Sequence, residues 1–198
     1  MAPRIEFFFD YASPYSWLAD QRLPEIAARH GATLVYRPAL LGALVVESGN
    51  TPPPAVPAKA AYYRDDLVRW TERLGLAYRP NPHFPVASIA LMRGALVAQR
   101  EGVFPTYHEA LWRAMWTQAA PLHEEAVFRA TLTEAGLDAE LILRGTQDAT
   151  VKAALRKNVE EALGRGAFGL PTLFLGDAMY FGNDRVDFVE EALAARSR

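Results

Sequence analysis

No cysteine occurs anywhere in the 198 residues. Disulfides, thiolate zinc sites and a catalytic cysteine of the chain's own are therefore excluded. No apolar run reaches the roughly 18–20 residues that cross a bilayer. The first residues show no charged-then-apolar leader either. An excess of one charge is also lacking: 21 Lys and Arg face 23 Asp and Glu, a net charge of −2 with pI about 6.1. That balance leaves no electrostatic footprint for nucleic acid. Histidine is scarce, and His30, His83, His108 and His123 show no metal-ligand spacing of the HExxH kind. The expectation is a soluble, cytoplasmic protein with no metal, no membrane contact and no nucleic-acid partner.

What is present is apolar and aromatic. Hydrophobic residues make up 51% of the chain, enough for a sizeable core. The stretch from Ile5 to Phe9 is a short apolar run with three aromatics, which suits a strand in a sheet core. The chain then turns at Tyr11-Ala12-Ser13. Pro14 falls at a first helical position, where its missing N–H costs nothing, and Ser13 becomes the N-cap candidate. A hydroxyl at that place is either a cap alone or a group that helps to stabilise an anion among unpaired backbone donors.

The periodicity predicts a helix from Pro14 to His30, stopped by Gly31, and a strand from Thr33 to Arg37. Two strands joined by a helix should be parallel. Residues 42–58 hold Gly42, Gly49, Asn50 and four prolines, and read as a long loop. Residues 58–165 read as helices throughout, with Asp138 and Asp148 as caps. Trp112 and Trp116, at i and i+4, read as packing residues. Thr172–Leu175 and Ala178–Phe181 form a hairpin around Gly176-Asp177. A last helix follows, with Asp184 as its N-cap. The order is βαβ, a helical block, then ββα. One sheet forms from both ends only if the block is an insertion. The fold class is therefore α/β and thioredoxin-like, with residues 1–45 and 166–198 forming one domain and 46–165 an inserted helical domain.

Four blocks then carry a family resemblance. Phe7-Phe8-Phe9-Asp10-Tyr11-Ala12-Ser13-Pro14-Tyr15-Ser16-Trp17 resembles the opening of the 2-hydroxychromene-2-carboxylate isomerases and kappa-class glutathione transferases, of the DsbA-like group. Gly49-Asn50-Thr51-Pro52-Pro53 with Pro57-Ala58-Lys59 resembles their next block. Gly166 to Thr172 resembles their cis-proline segment, and Gly182-Asn183-Asp184-Arg185 their last block. Where dithiol oxidoreductases of this fold carry Cys-x-x-Cys, this chain reads Ser13-Pro14-Tyr15-Ser16. Two hydroxyls cannot form a disulfide, so thiol–disulfide exchange is excluded.

The resemblance implies glutathione as cofactor. Ser13 is then the catalytic residue, donating a hydrogen bond to the glutathione sulfur. It further implies that Leu170, ahead of a cis Pro171 and next to Gly169, pairs with the cysteinyl part. Asn183 and Asp184 would meet the γ-glutamyl end, with Arg185 paired to Asp184 or solvated. Asn50 would touch glutathione, and Lys59 its glycyl carboxylate. Tyr11, Tyr15 and Phe84 are the candidates for an aromatic wall around the substrate. The chain departs from some isomerases in one place: Ala43 to Glu47 carries no lysine or arginine to meet a substrate carboxylate.

Three functions follow from this. The first is an isomerase in which the glutathione thiolate adds to and leaves an unsaturated aromatic acid. The second is a kappa-type glutathione transferase or peroxidase acting on a small electrophile. The third is a DsbA-like protein that binds a small ligand or thiol peptide without turnover. The family resemblance also implies a homodimer.

Overall fold

The computed structural model describes residues 2–196; the outermost positions of the two sequence-drawn terminal segments, 1 and 197–198, lie outside them. Strand β1 (Arg4–Phe9) leads through a tight turn into α1 (Pro14–Asp20), α2 (Leu23–Arg29) and β2 (Thr33–Pro38). Then come α3 (Leu41–Glu47), α4 (Pro57–Arg73), α5 (Ile89–Arg100) and α6 (Phe104–Trp112), which runs on into one π-helical turn. Helices α7 (Glu125–Glu134), α8 (Ala139–Gly145) and α9 (Ala149–Gly164) complete the block. The hairpin β3 (Thr172–Leu175) and β4 (Ala178–Phe181) and helix α10 (Val186–Arg196) close the chain.

The strands form one sheet in the order β2-β1-β3-β4. β1 runs parallel to β2, with Phe7 opposite Tyr36, and antiparallel to β3, with Phe7 opposite Leu173. This is the thioredoxin-like arrangement that the element order implied. β1 is central and apolar on both faces because both faces are covered. Strand alternation sends Phe7 and Phe9 to one side, where Trp17, Leu18 and Trp112 belong to the same cluster. It sends Phe8 to the other, with Phe174, Leu44, Val159 and Ala162 from α3 and α9.

Three sequence expectations give way here. The single helix from Pro14 to His30 is two helices, because Pro24 has no N–H to continue the first one and instead sits in the opening turn of α2. Part of the long loop at 42–58 is helix α3. Its Leu44 and Val45 are buried, Leu44 in one cluster with Phe8 and Phe174, a signal masked in the sequence by Gly42 and the prolines that follow. The caps at Asp138 and Asp148 are present, accepting from the N–H of Leu141 and of Thr150. Asp184 is not the cap of the last helix. A 3-10 turn, Asn183–Arg185, intervenes, and the Asp184 carboxylate pairs with Arg185, a charged partner in place of a backbone donor.

Asp10 fixes the turn after β1. It is buried, and its Oδ1 accepts the Ala12 N–H at 2.9 Å. Its Oδ2 accepts the Leu41 N–H and the Ser88 hydroxyl, both at 2.9 Å. One carboxylate thus ties the end of β1 to the start of α3 and the start of α5. Burial pushes its carboxyl above the ordinary carboxylate range, against the opposing pull of these three bonds.

Candidate functional site

Ser13 sits where β1 hands over to α1. Its backbone is extended (φ −102°, ψ 108°), and its N–H bonds the Asp10 carbonyl at 2.9 Å. The Oγ accepts the Ser16 N–H at 3.1 Å, as an N-cap does, and donates to the Leu170 carbonyl at 3.2 Å. Cap and donor are therefore one atom with two separate jobs: a lone pair for the helix, a proton for the facing segment.

That facing segment is tightly specified. The Leu170–Pro171 bond is cis. At Gly169 a Cβ would lie 2.9 Å from the Phe181 ring, so only glycine fits without a shift. The Gly169 carbonyl accepts the Thr172 hydroxyl at 2.7 Å, and the Pro171 carbonyl accepts the Gly182 N–H at 2.9 Å. The Leu170 N–H has no acceptor among the described residues. Asn50 Nδ2 donates to the Phe168 carbonyl at 2.9 Å, which pins the 48–51 loop to the same segment.

On the other side the 3-10 turn at Asn183–Arg185 packs on α1. The Asn183 side chain is buried, and neither its oxygen nor its nitrogen has a partner among the described residues; the buried Ser16 Oγ has none there either. Buried polar atoms are nearly always paired. Unpaired groups on and against α1, together with a free Leu170 N–H facing Ser13, suit a polar, peptide-like molecule that brings its own donors and acceptors.

The aromatic candidates separate. Tyr11 is 0% exposed and belongs to the core. Its hydroxyl meets His108 Nδ1 at 2.8 Å, and burial holds the phenol protonated. It cannot wall a ligand site, because the chain after β1 turns its ring under α6. Tyr15 is half-buried, donates to Asp66 at 2.6 Å, and shares a shallow hollow with Lys59 and Pro53. Phe84 is exposed at 38% and lines a cavity of about 240 Å³. Pro14, the neighbour of Ser13, lines the same cavity, as do Tyr63, Leu67 and Trp116. Its one charged lining residue is Arg64, whose side chain has no ion pair or hydrogen bond among the described residues.

Sequence reading missed a second polar cluster. His108 Nε2 lies 3.0 Å from Asp20 Oδ1 and 3.0 Å from the Trp112 indole nitrogen. These residues, with Tyr36, border a separate cavity of about 470 Å³ at the far end of α1. Residues 11, 20, 36 and 108 meet only through the fold, and no local pattern announces them. Every ring nitrogen there is occupied, so the cluster is read as structural. No group of three or more metal-ligating side chains occurs among the described residues, and no helix there is long and apolar enough to cross a membrane.

A thioredoxin-like sheet, a cis-proline segment and a serine at the helix start define a DsbA-type protein without the redox dithiol. The DSBA-like thioredoxin domain model matches residues 4–194, and the chain belongs to that family. It is 31% identical to a 2-hydroxychromene-2-carboxylate isomerase of Sphingobium xenophagum, with 98% of this chain and 99% of the relative covered. It is 30% identical to human glutathione S-transferase kappa 1, over 97% and 91% of the two chains. Both relatives are enzymes. The solved structure of a 2-hydroxychromene-2-carboxylate isomerase superposes with a TM-score of 0.88 at 26% identity, covering 98% and 96% of the two chains.

Proposed function

We propose that this protein is a glutathione-dependent isomerase of small unsaturated aromatic acids, resembling 2-hydroxychromene-2-carboxylate isomerase. One observation carries the reading: the Ser13 hydroxyl, already engaged as a cap, aims its proton at Leu170 beside an unpaired N–H. Glutathione, when bound, supplies a thiolate that adds to an unsaturated carbon, frees a bond to rotate and leaves again. Ser13 turns its O–H from the Leu170 carbonyl to the sulfur and holds it as an anion. The Leu170 N–H and carbonyl pair with the cysteinyl backbone, in the manner of an added strand. Asn183, Asp184 and Arg185 take the γ-glutamyl end, and Asn50, Gly169 and Pro171 shape the floor. Lys59 meets the glycyl carboxylate. The enzyme acts as a cytoplasmic homodimer.

The cavity beside Pro14 takes the substrate, with Phe84 and Trp116 against its ring. Arg64 supplies the cation that Ala43 to Glu47 lacks. Replacing Arg64 with methionine is expected to raise KM for an acidic substrate about tenfold, the loss of one charge-assisted bond. Turnover of an uncharged aryl electrophile should stay unchanged. An equal effect on both substrates would remove Arg64 from carboxylate recognition.

A kappa-type transferase or peroxidase is the second reading, favoured by the missing cation at 43–47 and by the match to the human kappa enzyme. The two part on stoichiometry. Turnover with catalytic glutathione supports the isomerase, whereas stoichiometric consumption supports the second reading, as a conjugate for a transferase or as glutathione disulfide for a peroxidase. Calorimetric titration tests what they share: glutathione should bind, and Asp184→Ala should weaken it about tenfold by removing the ammonium's partner. No binding at millimolar glutathione would overturn both readings and leave a protein that binds other small ligands without turnover.

A further inference from the structure

Most half-buried charges in this fold are paired. Arg37 meets Glu6 at 3.0 Å and also Glu161, and Arg165 meets Glu6 at 2.8 Å. Arg22 meets Asp187. Arg93, on α5, breaks the pattern. It is half-buried, its side chain has no hydrogen-bond or ion-pair partner among the described residues, and its Nε is shut off from solvent with nothing to accept its proton. Lys152, on α9, is also half-buried and has no hydrogen-bond or ion-pair partner among the described residues.

Both face one cavity of about 360 Å³ between α3, α5 and α9. The rest of its wall is largely apolar: Leu40 and Ala43 from the α3 side, Ile89 at the head of α5, and Leu155 and Val159 on α9. Ile89 is 44% exposed, a large apolar side chain left open at this spot. The two carboxylates on the wall, Glu47 and Glu160, lie with Arg156. Glu160 bonds the Arg156 Nε at 2.8 Å, and both glutamates hold the Arg156 guanidinium more firmly protonated than usual. Glu160 is thus engaged at the rim, Glu47 is exposed with no ion pair, and neither glutamate bonds Arg93 or Lys152 among the described residues.

A hollow that pairs two unmatched cations with an open apolar wall has the chemistry of an amphiphilic anion. A bare inorganic anion would leave Ile89 and Leu40 uncovered, and an uncharged apolar molecule would leave the guanidinium unpaired. We propose that the cavity between α3, α5 and α9 binds a small organic carboxylate, its carboxylate held by Arg93 and Lys152 and its hydrocarbon part laid on Leu40, Ala43 and Ile89. This site is separate from the Ser13 site and does not depend on the glutathione reading.

Octanoate serves as the probe, titrated into the full chain by calorimetry, with octanol and inorganic phosphate as controls. One saturable site is expected for octanoate, with weaker binding of both controls. Arg93→Met keeps the apolar stem and removes the charge, so octanoate affinity should fall about tenfold or more. Lys152→Met, at the rim, should weaken it by a smaller factor and tests the site even if the Arg93 variant folds poorly. Ser13→Ala should leave octanoate binding intact. The proposal is overturned if octanoate shows no saturable binding at millimolar concentration, or if neither variant weakens it. Octanol or phosphate binding as tightly as octanoate would equally overturn it, since each lacks half of the required chemistry.

Discussion

Replacing Ser13 with alanine is expected to lower kcat/KM of the glutathione-dependent reaction by about a hundredfold to a thousandfold, the usual cost of removing one donor to a developing or bound anion. The glutathione thiol, read by its ultraviolet thiolate absorbance against pH, should return toward the ~8.5 of a free thiol. The same change removes the α1 cap and should cost about 1 kcal/mol of stability. Ser13→Gly separates the two roles, because glycine at an N-cap costs only a few tenths of a kcal/mol (and has no hydroxyl). Equal activity loss in both variants, with different melting temperatures, assigns the catalytic effect to the hydroxyl. Activity within about threefold of native in Ser13→Gly would reduce Ser13 to a cap, since one charge-directed bond is worth more than that.

Much of this arrangement is legible in the sequence because its signals are local. Ser13-Pro14 announces a helix start, and Gly176-Asp177 between two apolar runs announces a hairpin. The separation of β1 and β3 by a helical block implied one sheet built from both ends, and the registers show it. What escaped was either masked or non-local. Pro24 stood inside an apolar period that looked continuous, yet its missing N–H decides the break. Helix α3 was hidden by flanking glycine and prolines, and only packing of Leu44 against the sheet reveals it. Tyr11 is a sequence candidate for the ligand wall, but its buried bond to His108, which places it in the core, spans 97 positions. Arg93 and Lys152 line one cavity from helices far apart in the chain, and no spacing rule reaches that meeting.

Asp10→Ala should give the largest loss of stability of any single change at the site. It would strand three donors at once: the Ala12 and Leu41 N–H groups and the Ser88 hydroxyl. Each unsatisfied buried donor costs about 1–3 kcal/mol, partly offset by no longer burying a carboxyl group, so a net loss of about 3 kcal/mol is expected. For a chain of this size that is a melting-temperature drop of about 6–12 °C. Asp10→Asn keeps the acceptor for Ala12, and the Ser88 hydroxyl can turn to accept from the new amide, but the Leu41 N–H is stranded, so about 1–3 kcal/mol is expected there. The pH dependence has a definite sign. Burial raises the folded-state pKa of Asp10, so the folded chain holds its proton more readily than the unfolded chain. Its contribution is fully present below the unfolded carboxylate value and is lost as pH rises through the folded one. The gap in melting temperature between the native chain and Asp10→Ala should therefore be widest below the ordinary carboxylate range and narrow as the pH rises above it. Thermal melts of both proteins across that range measure it directly. A gap that widens with rising pH would mean that the ionised carboxylate, not the protonated acid, is the form this turn is built to hold. Either sign bears on Ser13, because the residue that accepts the Ala12 N–H also sets where the next hydroxyl points.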